Sequence, residues 1–162
     1  MYIRKANIDD LDEIMGIYRI AQDYMIALGN SSQWGHFYPK RELIEEDIEK
    51  EICYLICDSE GTHGVFALTE GAEPTYQHIE NGKWLNDDEY VTVHRIASDG
   101  KANGIFKSAI DYCKDLSDNI RIDTHNSNLI MQKLIEKNGF VKCGRIYVAD
   151  GTPRIAYQWK KY

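Results

Sequence analysis

The sequence predicts an α/β fold: a mixed, mostly antiparallel sheet of six to seven strands with a parallel central pair, flanked by about four helices. Three observations lead there. Apolar periodicity switches repeatedly between two and 3.6 residues, in the order β-α-α-β-β-β-α-β-α-β-β. A strand–helix–strand succession over residues 90–124 needs a crossover, so its two strands run parallel, joined in the right-handed sense. A length of 162 residues with no internal repeat and no Pro/Gly-rich linker suits a single domain over residues 1–162.

The elements follow in order. Tyr2–Lys5 is a short strand. Asn7 with Asp10 three residues later forms an N-cap and its acidic partner. Leu11, Ile14, Met15, Tyr18, Ala21, Met25 and Leu28 then recur at spacings of three and four, one helix face, closed by Gly29 and Asn30. Residues 31–38 (SSQWGHFY) are an aromatic loop before Pro39. A second helix carries Leu43, Ile44 and Ile48 on one face and a run of glutamates on the other. Residues 52–58 and 63–69 read as strands around a turn. Residues 71–88 are long and irregular, a length that tends to be functional or mobile. Residues 90–97 (YVTVHRIA) are strongly β-prone and central. A loop over 99–104 precedes the helix Ile105–Leu116, with Ile105, Phe106, Ala109, Ile110 and Cys113 inward. Residues 120–124 form a strand, 127–137 a helix with Asn126 as its cap and Asn138 and Gly139 as its stop. Residues 140–148 and 155–162 are the last strands, with Asp150 and Gly151 in their hairpin.

Composition narrows the function. Apolar residues are 43% and charged residues 28%, which excludes a disordered chain. No apolar run approaches the ~20 residues that cross a bilayer, and residues 1–12 hold no apolar signal region, so no membrane partner and a cytoplasmic location are expected. Cys53, Cys57, Cys113 and Cys143 are expected to be reduced core thiols. A zinc site at Cys53, Cys57 and His63 lacks further ligands at suitable spacing, so no metal is expected. The net charge of −7 argues against nucleic-acid binding. Residues 1–90 hold 7 basic and 19 acidic side chains, and residues 91–162 hold 12 and 7, a split of −12 and +5. That division suits a second half that meets an anion and a first half that meets a cation, as well as simple solubility.

Two segments stand out as sites. After the central strand, Ser98 to Gly104 (SDGKANG) run into a helix, where small residues let backbone N–H groups approach a phosphate and the helix end adds positive potential. Lys101 and Lys107 add charge. A plain strand–helix turn reads the same way. It is not a P-loop, since no Gly-Lys-Ser/Thr closes it. The second segment, Asn128 to Phe140, is an amphipathic helix ended by Asn138 and Gly139, in which packing does not explain Asn128; a cap or first-turn role would.

Over its whole length the chain resembles the GNAT N-acetyltransferase superfamily. The element order matches. HRIASDGKANGIFKSA, from His94 to Ala109, is similar to that family's fourth strand, pyrophosphate loop and third helix. Asn128 stands eleven residues before Gly139 and Phe140, as in its second CoA-side motif. Gln33, Trp34, Tyr38 and Pro39, with Ile122 to His125 (IDTH), resemble one branch of small bacterial members. The resemblance implies acetyl-CoA as donor. Lys101, Ala102, Asn103, Gly104, Ile105 and Phe106 stand at the family loop; the backbone amides of Asn103, Gly104, Ile105, Phe106 and Lys107 would hold the pyrophosphate. Ile96, Ala97 and Ser98 would pair with the pantetheine arm, Asn128 would bond near it, and an N–H near Ile96 or Ala97 would stabilise the oxyanion. Phe106 departs from the family's small residue. Ile135 stands where many members have a tyrosine that protonates the leaving thiolate, so no catalytic tyrosine is carried over; Tyr147 is an alternative acid.

The chemistry sets what else is needed. A lysine-like amine has a pKa near ~10.4 and must lose a proton before it attacks a thioester. Candidate bases are Glu89 at the head of the central strand, His94 within it, and Asp123 and His125, which alternate on the next strand. Each has a structural alternative: Asp123 orienting His125 or Arg95 or capping a helix, His94 a bonded core residue, Glu89 plain surface. Trp34, His36 and Tyr38 form the acceptor wall or an aromatic loop anchor. The expected partner is a small amine or peptide amine, with a possible homodimer. A covalent acetyl-cysteine route is disfavoured, since Cys113 and Cys143 are placed in the core. The alternatives are a non-catalytic acyl-CoA-binding or regulatory module of the same fold, and an interaction domain with an apolar patch at Trp159 and Tyr162.

Overall fold

The computed structural model describes residues 1–162. A seven-stranded sheet has the order β1-β2-β3-β4-β5-β7-β6, with β1 Tyr2–Lys5, β2 Cys53–Asp58, β3 Gly61–Glu70, β4 Val91–Ser98, β5 Asn119–Thr124, β6 Val141–Tyr147 and β7 Pro153–Lys160. The helices are α1 Leu11–Ala27, α2 Arg41–Glu49, α3 Ile105–Leu116 and α4 Leu129–Lys137. β4 and β5 are the expected parallel pair, with Val91 opposite Ile120 and Thr92 opposite Arg121. No helix is long and apolar enough to cross a membrane. The chain divides into two compact units: Met1–Leu68 with His94–Tyr112, and Thr69–Val93 with Cys113–Tyr162.

In the first unit, α1 starts where the sequence places it. The Asn7 side chain accepts from the Asp9 N–H at 2.9 Å, and the Asp10 carboxylate accepts from the Asn7 N–H at 2.8 Å. This reciprocal cap opens a short 3-10 turn, Ile8–Asp10, that runs into α1. Leu11, Ile14, Ile17 and Tyr18 of α1 pack with Ile44 of α2, Leu55 of β2, Val65 of β3 and Ala97 of β4. Leu28 differs from expectation and is exposed, because α1 ends at Ala27 and Gly29 turns the chain at φ +85°. The β2–β3 turn is only Ser59 and Glu60, closed by the Asp58 carboxylate accepting from the Glu60 N–H.

In the second unit, β5, β7 and β6 form an antiparallel ladder. The irregular stretch ahead of β4 is anchored, not loose. It holds a 3-10 turn, Pro74–Tyr76, and Glu80 bridges to Arg145 of β6 by paired backbone bonds. Tyr76, Tyr90, Ile146 and Ala156 make the core there, with Ile79, Trp84 and Val148 against it. Asn128, not Asn126, caps α4: its side-chain oxygen accepts from the Met131 N–H at 3.1 Å. Trp159 is half-buried under the Lys114 ammonium, 4.8 Å from its ring, so the expected apolar patch reduces to Tyr162.

Candidate active site

The loop after β4 is built by its own side chains. The Ser98 hydroxyl accepts from the Gly100 N–H at 3.0 Å, and the Asp99 carboxylate accepts from the Lys101 N–H at 2.8 Å. Gly100 and Gly104 lie at φ +75° and +74°, conformations glycine adopts freely, and a Cβ on either would meet nothing within 4 Å. Gly104 then opens α3, whose carbonyl takes the Ser108 N–H at 2.9 Å. The N–H groups of Ile105, Phe106 and Lys107 belong to the first turn, which an α-helix leaves without intrahelical partners. The Gly100 and Lys101 amides are spent inside the loop, so the donors left for a diphosphate are the first-turn amides of α3 and the exposed Lys101 ammonium, a set that fits the pyrophosphate of CoA.

Two expectations about this loop are refined. The Phe106 side chain is buried in the core, so its departure from the family pattern leaves the loop's open side unchanged. The Lys107 ammonium is exposed but pairs with Asp111 one turn on. The acid in the loop is neutralised from behind. His63, 7% exposed, has Nδ1 3.1 Å from an Asp99 oxygen and Nε2 2.9 Å from an Asp58 oxygen. Carboxylates only accept, so both ring nitrogens donate and the ring is an imidazolium; the hydrogen bond to Asp99, with that to Asp58, holds its pKa above the ordinary value. His63 thus serves the loop. All four cysteines are free and buried, and burial pushes the Cys53 and Cys113 thiols up to about 12.

The β4 backbone next to the loop is kinked. Arg95 lies at φ +52°, a region that non-glycine residues seldom enter. Its guanidinium grips the buried Asp47 carboxylate through two bonds of 3.0 and 2.9 Å and donates to the Tyr38 hydroxyl at 3.3 Å. Burial pushes the Asp47 carboxyl up, against the pull of Arg95. The Arg95 carbonyl accepts from the Tyr18 hydroxyl at 2.8 Å. Beyond the kink, the Asp99 N–H donates to the His63 carbonyl on β3. Strand alternation then sends the Ala97 N–H to that same edge, and those of Ile96 and Ser98 to the opposite one. Of the two oxyanion donors left open by sequence, Ile96 is the one that faces away from β3.

The three acceptor-wall residues separate. Trp34 and Tyr38 cluster, their rings 6.2 Å apart, with Tyr18 edge-on to Trp34 at 5.8 Å. His36 is exposed and lines a cleft of about 270 Å³ with Met15, Gln22 and Pro39, where Arg19, Lys40 and Arg41 outnumber Glu42. The acidity of the N-terminal half is therefore not concentrated there.

The base candidates fall in different surroundings. His94 is half-buried and belongs, with Trp34, Tyr38 and the loop, to the first unit. Glu89, Asp123, His125 and Asn128 belong to the second. Glu89 is exposed, two residues before β4. Asp123 accepts from the buried Tyr76 hydroxyl at 2.6 Å. The His125 Nδ1 accepts from the Ser127 N–H at 2.9 Å, so the neutral ring carries its proton on Nε2; burial, with Arg154 nearby, lowers its pKa. Ile135, at the usual tyrosine position, is fully buried, and the Tyr147 hydroxyl donates to Glu80 at 2.9 Å. Sequence reasoning missed Tyr18, Tyr76, Asp47 and the His63 pair. Only Asp47 left a signal: it lies three residues after Ile44, on the buried face of α2.

No family model matches the chain, and no curated protein matches it. Solved structures do. A GNAT-family acetyltransferase from Streptococcus agalactiae 2603 is 30% identical, covers 99% of this chain and 95% of its own, and has a TM-score of 0.91. A GNAT-family acetyltransferase from Listeria monocytogenes 4b F2365 shares the fold at 22% identity, 99% and 94% coverage and a TM-score of 0.72. So does yncA from Salmonella typhimurium, solved with its cofactor acetyl-CoA, at 12% identity, 98% and 92% coverage and a TM-score of 0.64. The chain belongs to the GNAT acetyltransferase family.

Proposed function

We propose that the chain transfers an acetyl group from acetyl-CoA to a primary amine, by direct attack within a ternary complex. The observation that carries this reading is the first turn of α3 behind the loop Ser98 to Gly104: the loop's Gly100 and Lys101 amides bond within it and hold its shape, the helix-start amides stay open to a diphosphate, and the loop's one acid is neutralised by His63. Acetyl-CoA supplies an activated carbonyl. The chain's own groups hold the pyrophosphate at the loop, pair Ile96 and Ser98 with the pantetheine arm, and direct the Ile96 N–H at the carbonyl oxygen, where charge develops during attack.

The amine needs a base. Glu89 is the residue we assign, acting through water: it is exposed and stands at the head of β4. Asp123 and His125 already accept from Tyr76 and Ser127, which lowers their value as proton acceptors. Buried Ile135 offers no acid, so the thiolate leaves unassisted or takes its proton from water. That same residue favours a second reading, a CoA-binding module without turnover. A titration with acetyl-CoA, followed by a thiol-release screen over amines with Glu89→Gln, His94→Gln, Asp123→Asn and His125→Gln, separates the two. Folded protein that binds no CoA defeats both. Binding without thiol release across the panel selects the second. Turnover that Glu89→Gln leaves unchanged at every pH removes Glu89 as base.

A further inference from the structure

We propose that Tyr18 is a positioning residue of the transfer reaction: its hydroxyl fixes the peptide unit joining Arg95 and Ile96, and so aims the Ile96 N–H at the thioester oxygen. This rests on the acetyl-transfer reading. Tyr18 is 1% exposed in the middle of α1, yet its hydroxyl reaches a strand 77 residues away and donates to the Arg95 carbonyl at 2.8 Å. That carbonyl and the Ile96 N–H belong to one planar peptide unit. The Tyr38–Pro39 bond is the cis peptide of the chain, so this unit is trans, and its C=O and N–H point in opposite directions. Whatever fixes one end fixes the other.

The unit needs fixing. Arg95 holds a left-handed backbone in mid-strand, a conformation that persists only where neighbours over-determine it. Asp47 of α2 grips the side chain, Tyr38 of the aromatic loop meets it, and Tyr18 of α1 holds the carbonyl. Of these three, Tyr18 is the one whose hydrogen bond is to the peptide unit itself, while Asp47 and Tyr38 bond to the guanidinium. A donor on a carbonyl also polarises its amide, which strengthens the N–H at the far end. Burial pushes the Tyr18 hydroxyl far above its ordinary pKa, so it stays a donor at any working pH. The same ring meets Trp34 edge-on, which ties the aromatic loop to this peptide.

Tyr18→Phe keeps the ring and removes the bond. The assay compares kcat, the KM for acetyl-CoA, the Kd for CoA, and the Kd for a CoA thioether carrying a methyl ketone, whose carbonyl can take the Ile96 N–H without reacting. Removing an oxyanion donor outright costs roughly 10²–10³ in kcat, so misdirecting one should cost about tenfold. The Kd for CoA should change less than about twofold, while the ketone's advantage over CoA falls about as far as kcat does. A tyrosine that only satisfies its own hydroxyl would lower thermal stability and leave both kcat and the ketone advantage unchanged, which would overturn the proposal. If Tyr18→Phe does not fold, the wild-type Ile96 amide decides: its proton should move downfield with the ketone and not with CoA, and equal shifts would overturn the idea. Wild-type protein that binds no CoA defeats the acetyl-transfer reading and this inference together; CoA binding with an unchanged ketone ratio defeats this inference alone.

Discussion

Replacing Gly64 by alanine should destabilise the first unit, chiefly through one side-chain contact. A Cβ there would lie 2.6 Å from the Ile105 Cγ2, 3.0 Å from the Ile56 Cδ1 and 3.2 Å from the Ala97 carbonyl oxygen. Gly64 has no left-handed backbone, so the effect is steric alone. The Ile56 methyl ends a flexible side chain and can turn aside. The Ile105 γ2 methyl is fixed to a branched Cβ at the start of α3, and moving it means rotating χ1 or shifting that turn. Overpacking of this kind costs about 1–3 kcal/mol. At ~2 kcal/mol, a chain of this size loses roughly 4–8 °C in Tm. Relief should be selective. Ile105→Leu removes the γ2 branch and should recover at least about 1 kcal/mol in a double-mutant cycle; Ile105→Val keeps it and should recover almost nothing. Thermal and urea unfolding followed by circular dichroism read the cycle. A Gly64→Ala cost below about 0.5 kcal/mol, or equal relief by valine and leucine, would refute the packing argument.

Further outcomes follow from the same geometry. Native protein should leave all four cysteines unreactive to an aromatic disulfide reagent over the minutes in which urea-unfolded protein yields four thiols; a fast native thiol would contradict their burial. Asn128→Ala should cost about 1 kcal/mol by uncapping α4, whereas Asn128→Asp, which can still accept from Met131, should cost much less. The raised His63 pKa makes its contribution complete below about pH 6.5 and lost as pH rises through the folded value. Urea midpoints measured from pH 6 to 9 should therefore fall less steeply for His63→Gln than for wild type, and parallel curves would remove the ion cluster as the cause.

Local chemistry was the legible part. The Asn7 and Asp10 cap, the inward face of α3 and the crossover that makes β4 and β5 parallel all depend on residues within a few positions or on chain direction. The glycine-bearing loop after β4 was legible for the same reason. What stayed hidden was set by distant partners. Tyr18 looked like an ordinary helix-face residue, and its bond to Arg95 spans 77 residues; Tyr76 lay in a stretch without periodicity, and its bond to Asp123 spans 47. The sequence leaves the α4 cap between Asn126 and Asn128, because both asparagines suit the position and only backbone geometry separates them in favour of Asn128. The sequence shows His63 near two cysteines, a ligand-like setting, but not the two carboxylates that turn toward it.

The division into two compact units has a consequence for anyone who cuts the chain. Each unit draws on two separate stretches, and all three crossings between them fall inside secondary structure, within β3 at Leu68, within β4 at Val93 and within α3 at Tyr112. No terminal truncation can release one unit whole, since removing the last 50 residues strips the second unit and leaves Thr69–Val93 stranded, while removing the first 68 leaves His94–Tyr112 without its partners. A protease should therefore find no single nick that yields an autonomous fragment, and fragments for reassembly experiments must be paired from both ends.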